Sequence, residues 1–312
     1  MGVRDASARA APGGSGRLGR PARPAGALGV RLENGVLLAP VVLLVLSTAV
    51  FPGLYAYYMS VHEVYLEAYS EGRFTGLSNF ARVLRDPDFF RAALFSLRFA
   101  LLATAVELAL GVLLALLFYP EFRGKRVAIS LVLLPLMVSP ALIGIMFRLM
   151  LNEFVGVVTY YVERMGIPFQ PLAPRYVFWT LLTVDIVQWM PFTFLLAYAA
   201  LQALPGELVE AGQVDGATGW QLFRHIMLPW IAPLLLIAAL LRSIDAFKTF
   251  DMIHVLTGGG PGTLTTTLSI YIYKMAFLTG DLGRANAASV LMLLFLGLLI
   301  PSVLRRIFRE GL

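Results

Sequence analysis

The chain has 312 residues, 58% of them hydrophobic and only 14% charged, with a mean hydropathy of +0.77. A soluble globular domain carries about a quarter charged residues, so this balance excludes an ordinary soluble protein and points to the bilayer. The net charge of +6 could suggest nucleic acid, but the basic residues flank apolar runs, where they set orientation instead. With no cysteine, disulfides and thiolate metal sites are excluded, and His62, His225 and His254 are too scattered for ligand spacing. Neither a metal nor a nucleic-acid partner is expected.

Residues 1–35 are rich in Ala, Gly, Pro and Arg and hold almost no large apolar residue. They cannot bury enough surface to offset chain entropy, which predicts a disordered tail. Residues 36–312 then read as one transmembrane domain. Six apolar runs are long enough to cross about 30 Å of hydrocarbon. They fall near 36–60, 93–119, 126–151, 176–204, 230–256 and 285–304, so the expected fold is an all-α integral membrane protein with six transmembrane helices. Between the first two, Leu77, Phe80, Leu84 and the Asp86-Pro87-Asp88 turn predict a short surface helix and its stop. Phe154, Val157, Val158 and Tyr161 predict another after the third. The Thr257-Gly258-Gly259-Gly260-Pro261-Gly262 run reads as a turn.

Basic residues cluster in three places: the N-terminal tail, the Arg123, Lys125, Arg126 turn, and the Arg305, Arg306, Arg309 tail. With six spans these lie on one side. The positive-inside rule puts both termini, and residues 205–229, in the cytoplasm.

The 205–229 segment is the most informative of the chain. Leu208, Ala211 and Val214 share one helical side, with Glu207, Glu210 and Gln213 beside it. Gly216 permits a sharp bend. A second short helix follows, with Trp220, Phe223 and Met227 at helical spacing, and Pro229 is expected to end it. The result is a helix–Gly–helix elbow whose exposed side can enter a partner.

Glu210-Ala211-Gly212, then Gly216 after three intervening residues, then Ile226-Met227-Leu228-Pro229 after nine more, resembles the "EAA" loop of ABC-transporter permeases of the importer type. The departure is Gly212 where the family has a second Ala, which should loosen the first helix by roughly 1 kcal/mol. The Leu256-Thr-Gly-Gly-Gly-Pro261 run resembles the sugar permeases of the maltose-type subfamily, in particular the first of their two permease subunits. That likeness covers about residue 36 to the C-terminus. It implies type I importer architecture in a prokaryotic inner membrane. It implies an extracytoplasmic sugar-binding protein, a second non-identical permease and a cytoplasmic ATPase dimer that binds the ATP and Mg. Glu210, Ala211, Asp215, Gly216, Leu228 and Pro229 are the implied coupling residues. The chain has no phosphate loop of its own: at Gly124-Lys125, Arg126 stands where Ser or Thr is needed and Tyr119 where the first Gly is needed. No cofactor is expected in this chain, and it is not expected to be an enzyme.

Charges near the middle of a span cost roughly 2.5–3.5 kcal/mol on insertion scales and are retained for a reason. The fourth span carries Asp185, Gln188, Trp189 and Phe192 on one stripe, with Pro191 expected to break or kink the helix. The fifth carries Arg242, Asp245 and Thr249 on another, with Lys248 and Asp251 nearby. Planar hydrogen-bonding groups beside an aromatic face suit a polyhydroxyl ligand. Both stripes also align with the sugar-contacting positions of the maltose permease. Trp189, Arg242 and Ala246 depart from that relative, which predicts a pocket shaped for something other than maltose. The competing reading is structural: Asp185 with Arg242, or Asp245 with Lys248, would merely tie helices together. Glu107 and Arg148 are read as structural charges. Two other functions compete with a sugar-importer permease. An ion-gradient-driven secondary transporter of small polar solutes would call for internal repeats. A membrane enzyme would call for a nucleophile–base or metal cluster. The sequence displays neither signature.

Overall fold

The computed structural model describes residues 38–67 and 72–309; the expected tail 1–35 lies outside the described residues. The chain forms two compact units, Met1–Leu54 and Tyr55–Leu312. The first helix, α1 (Leu38–Ser60), begins in the first unit, where residues 38–54 expose an apolar surface and bury no residue.

The second unit is helical apart from a two-stranded hairpin, β1 (His62–Glu63) paired antiparallel with β2 (Arg73–Phe74). No strand is legible there from the residues alone, because two residues per strand show no alternation. Next come the surface helix α2 (Ser78–Leu84) and the long α3 (Pro87–Leu117). The Asp86-Pro87 pair both stops α2 and starts α3. The Asp86 carboxylate accepts the Asp88 N–H at 2.9 Å, and Pro87 stands where a missing N–H costs nothing. The second span therefore begins six residues before the expected 93. Asp86 also receives the Tyr271 hydroxyl at 2.8 Å and Arg284 at 3.2 Å, which pins this end of α3 to later helices.

The third expected span is not one rod. It is a pair, α4 (Lys125–Met137) and α5 (Pro140–Met150), bent by 95°. Ser139 caps α5 through a 3.4 Å bond from Leu142 N–H, and Pro140 occupies the first turn, so the Ser-Pro step starts a new helix. The predicted surface helix follows as α6 (Val157–Arg164). α7 (Val177–Gln202) runs through Pro191 without a break, contrary to expectation. The elbow contains α8 (Gly206–Val214), and α9 (Gly219–Phe247) is the next long helix.

Pro229 does not end a helix either. The turn before it is widened, so that Leu228 N–H reaches back five residues to Phe223 C=O. The extra residue moves the carbonyl that the proline ring would strike. The same device precedes Pro52, where Phe51 N–H bonds Leu46 C=O. The expected fifth span, 230–256, instead stops at Phe247 and restarts as α10 (Asp251–Thr257). α11 (Leu268–Leu278) and α12 (Leu282–Arg309) complete the chain.

Among the described residues four helices are long and apolar enough to cross a membrane: α1, α3, α7 and α9. The α4–α5 pair makes a fifth if it is counted as one span. α3 and α7 cross closely at Gly111. A Cβ built there would lie 2.2 Å from Thr193 Oγ1 and 2.7 Å from the Phe194 nitrogen. Thr193 Oγ–H also donates to the Glu107 carbonyl at 2.7 Å. Small residues permit such approach in lipid, where packing rather than hydrophobicity joins helices. Replacing Gly111 by Val should therefore separate α3 from α7. We expect a loss of about 1–3 kcal/mol, read as a lower unfolding temperature of the purified protein, with Gly111→Ala intermediate.

Candidate functional site

The helical stripe on α7 brings Asp185, Gln188 and Trp189 to one face, with Asp185 and Gln188 each only 2% exposed. α9 meets them with Arg242, itself 2% exposed and the largest fully buried side chain. Its guanidinium makes two near-parallel bonds to Glu107 of α3, Nε to Oε2 at 2.7 Å and Nη2 to Oε1 at 3.0 Å. Nη2 also donates to Asp185 Oδ2, and Nη1 lies 3.5 Å from Asp245 Oδ2. The Trp189 ring covers the same guanidinium, 5.0 Å from centroid to Cζ. One cation thus joins α3, α7 and α9, and its fork geometry suits two carboxylates at once. Lys248 adds a looser contact to Asp245 at 3.7 Å.

Above this cluster the two helix breaks meet. Pro140, at the bend between α4 and α5, and Lys248 to Met252, at the break between α9 and α10, line a cavity of about 350 Å³ with Asp185, Gln188, Trp189 and Asp245. Broken backbone leaves carbonyls without helical partners, and each must find a donor. Gln188 Nε2 donates to Val138 C=O at 3.1 Å. Ser269 Oγ donates to Lys248 C=O at 2.8 Å, and Thr267 Oγ1 to Thr249 C=O at 3.0 Å. The Gln188 amide is thereby fixed with its nitrogen on the bend. Its Oε1 is buried without a hydrogen-bond partner and belongs to a residue of the cavity wall. An acceptor in that state calls for a donor.

Five of the seven expected ligand contacts therefore share one cavity: Asp185, Gln188, Trp189, Asp245 and Thr249. Arg242 lies behind the carboxylates, and Phe192 is not part of the wall. Both structural pairs weighed against ligand binding are present, Asp185–Arg242 and Asp245–Lys248. Arg148 donates to Val255 C=O at 3.1 Å and ties α5 to α10. The wall residues missed by sequence reasoning are Pro140, Phe250 and Met252, and Lys248 and Asp251, seen only as charges near the stripe, join them. On an uninterrupted helix Lys248 and Asp251 lie off the Arg242 stripe, and the break brings them round.

The elbow is built by exact local bonding. Ala217 N–H reaches Gly212 C=O at 2.9 Å and Gly216 N–H reaches Gln213 C=O at 3.0 Å, the paired bonds that close a helix through a left-handed residue. Gly216 is that residue, at φ +80°. Thr218 and Gln221 then cap α9 reciprocally. Gly212 has a use that its weak helix propensity hides: a Cβ there would meet Leu222 Cδ2 at 2.7 Å and Ile226 Cδ1 at 3.0 Å. The inner face, Val209 and Leu222, packs against α7 residues Phe194, Ala197 and Leu201. Glu210, Ala211, Val214 and Trp220 remain exposed.

A polar cavity between broken spans, an amphipathic elbow and no phosphate loop of its own define a membrane transport permease. The chain belongs to the family described as binding-protein-dependent transport system inner membrane component, which matches residues 107–310. It is 35% identical to the probable ABC transporter permease protein y4oQ of Sinorhizobium fredii, over 92% of this chain and 96% of that one. It is 33% identical to the trehalose/maltose transport system permease protein MalF of Thermococcus litoralis, over 82% and 87% of the two chains. The fold matches a subunit of a crystallised bacterial ABC transporter involved in the import of the acidic polysaccharide alginate. The TM-score is 0.80 at 21% identity, covering 91% of this chain and 98% of that one. The chain is thus an inner-membrane transport permease and not an enzyme, and ATP hydrolysis belongs to a separate subunit.

Arg242→Met leaves Glu107 and Asp185 as uncompensated buried charges. It should cost about 3–5 kcal/mol. Thermal unfolding of the detergent-solubilised protein should show this loss, and Arg242→Met combined with Glu107→Gln and Asp185→Asn should recover much of it.

Proposed function

We propose that this chain is the first of two non-identical permeases in an ATP-driven importer of a sugar or related polyol. The solute would be delivered by an extracytoplasmic binding protein and cross at the cavity of Asp185, Gln188, Trp189, Asp245 and Thr249. The observation that carries the reading is the buried, unpartnered Gln188 Oε1 in a wall of carboxylates beside an aromatic ring. Hydroxyl groups both donate to such carboxylates and accept from Lys248 in the same wall. The trehalose/maltose relative supports the sugar class.

The proposed topology has six spans, with α12 as the sixth and both termini cytoplasmic. The basic residues at 123–126 and 305–309 support it. Residues 205–229 act as the coupling loop. Glu210 contributes a charge-assisted contact to an ATPase subunit of the cytoplasmic dimer, and the exposed Ala211 and Val214 add an apolar face. Gly216 with Asp215 holds the bend, and Leu228-Pro229 carries motion into α9. The stiffness of the double cap supports this role, since a rigid elbow transmits displacement without absorbing it.

The test is uptake and ATP hydrolysis by the full complex in proteoliposomes with its binding protein. Trp189→Ala and Gln188→Ala should raise the apparent transport constant about tenfold or change the order of sugar preference, with hydrolysis retained. Glu210→Lys should abolish uptake and the hydrolysis stimulated by the binding protein. Unchanged affinity and preference in both cavity variants would reject the site, and normal uptake by Glu210→Lys would reject the coupling role.

A further inference from the structure

Arg98 presents a problem that the transport reading does not use. It lies on α3, a helix of 31 residues, and is exposed. Such a helix is ~46 Å long against ~30 Å of hydrocarbon, which puts Arg98 ~8 Å inside the boundary on the Pro87 side. No hydrogen bond or ion pair reaches its guanidinium among the described residues, whereas Arg91, two turns away on the same face, has Asp88 at 2.8 Å. A lone cation at that depth needs an anion.

The surroundings describe that anion. Arg98 lines a groove of about 450 Å³ with Arg91, Trp179 and Thr263. Trp179 is 59% exposed and its indole N–H makes no hydrogen bond among the described residues; the Thr263 hydroxyl makes none either. No Asp or Glu lines the groove, so its polar wall is made of donors. The rest of the wall is apolar: Leu94, Phe95, Leu102, Phe178 and Leu264. A soluble anion has no use for those side chains, but an acyl chain does. The long Arg98 side chain can also rise to the headgroup level while its stem stays in hydrocarbon.

We propose that this groove binds an anionic phospholipid. Its phosphate sits between Arg98 and Thr263, its headgroup hydroxyls lie toward Arg91, and one acyl chain follows Leu94, Phe95 and Leu102. A zwitterionic headgroup fits less well, because its ammonium faces two guanidinium groups and the neighbouring carboxylate, Asp88, is already paired with Arg91. The inference needs only that α3 spans the bilayer and is independent of the solute carried.

Native mass spectrometry of the assembled complex, titrated with phosphatidylglycerol or phosphatidylethanolamine, tests it. The wild-type complex should retain one more phosphatidylglycerol than phosphatidylethanolamine, and free glycerol phosphate in excess should not displace it. Arg98→Gln should lower that retention roughly tenfold and Arg98→Lys should restore most of it. Arg91→Gln, at an exposed residue, should give a smaller loss and covers the case in which Arg98→Gln fails to assemble. Equal retention of the two lipids by wild type, or undiminished retention in Arg98→Gln or in Arg91→Gln, would overturn the proposal. So would an Arg98→Gln complex that sheds the second permease while its lipid count stays the same, since Arg98 would then pair with a protein carboxylate.

Discussion

The structure turns on one guanidinium. Arg242 is buried near the end of an apolar helix, five residues before Phe247, where an unpaired charge would be intolerable. Its partners come from two other spans, Glu107 on α3 and Asp185 on α7. In lipid the hydrophobic effect does little to choose among helix pairings, so directional polar contacts and close packing carry that choice. Here they act at neighbouring heights. Gly111 lets α3 and α7 touch one turn from Glu107, and Thr193 bonds the Glu107 carbonyl while Arg242 holds its side chain. The registers of three spans are therefore set together, and a shift of any one would strand a charge.

That fixed frame allows the neighbouring backbone to be irregular. The chain breaks at Val138–Ser139–Pro140 and again at Lys248–Thr249–Phe250, and each break exposes carbonyls. The donors that satisfy them, Gln188, Thr267 and Ser269, come from α7 and from the cap and first turn of α11. Polar backbone at membrane depth is tolerated because it lines a cavity, and the cavity exists because the breaks splay the helices apart. The elbow is the opposite kind of element. It is doubly capped and closed through Gly216, and its outer face is exposed. In the proposed transport cycle one region accommodates a solute and the other receives a push, and α9 runs from the elbow at Gly219 to the cavity at Asp245.

Hydropathy made the helical class and most spans legible, because long apolar runs have few alternatives in a membrane. The first expected span began at 36 and the described helix begins at Leu38; the fourth was expected at 176–204 and runs Val177–Gln202. The stripes of polar residues were legible from helical spacing, and so was the tension between a ligand site and structural pairing. Arg242 pairs with Asp185 and Asp245, and both carboxylates also line the cavity. Its partner Glu107 is 135 positions away, a distance that no local pattern spans. The breaks were hidden for a different reason. Proline was the natural sign to follow, yet α7 continues through Pro191 and a widened turn carries the chain past Pro229. The break after Phe247 has no proline at all. It depends on Thr267 and Ser269, some twenty residues later, to satisfy what it exposes.

The central claim is that the solute crosses where the two breaks meet over Arg242. The chain contains no cysteine, so a single introduced thiol reports without background. Thr249→Cys, in the wall of that cavity, should be labelled by a small water-soluble maleimide in the assembled complex. During turnover with the loaded binding protein and ATP, labelling should slow by about tenfold as solute occupies the site. A labelling rate that is the same with and without transported solute, while a thiol elsewhere in the membrane becomes protected, would contradict the account.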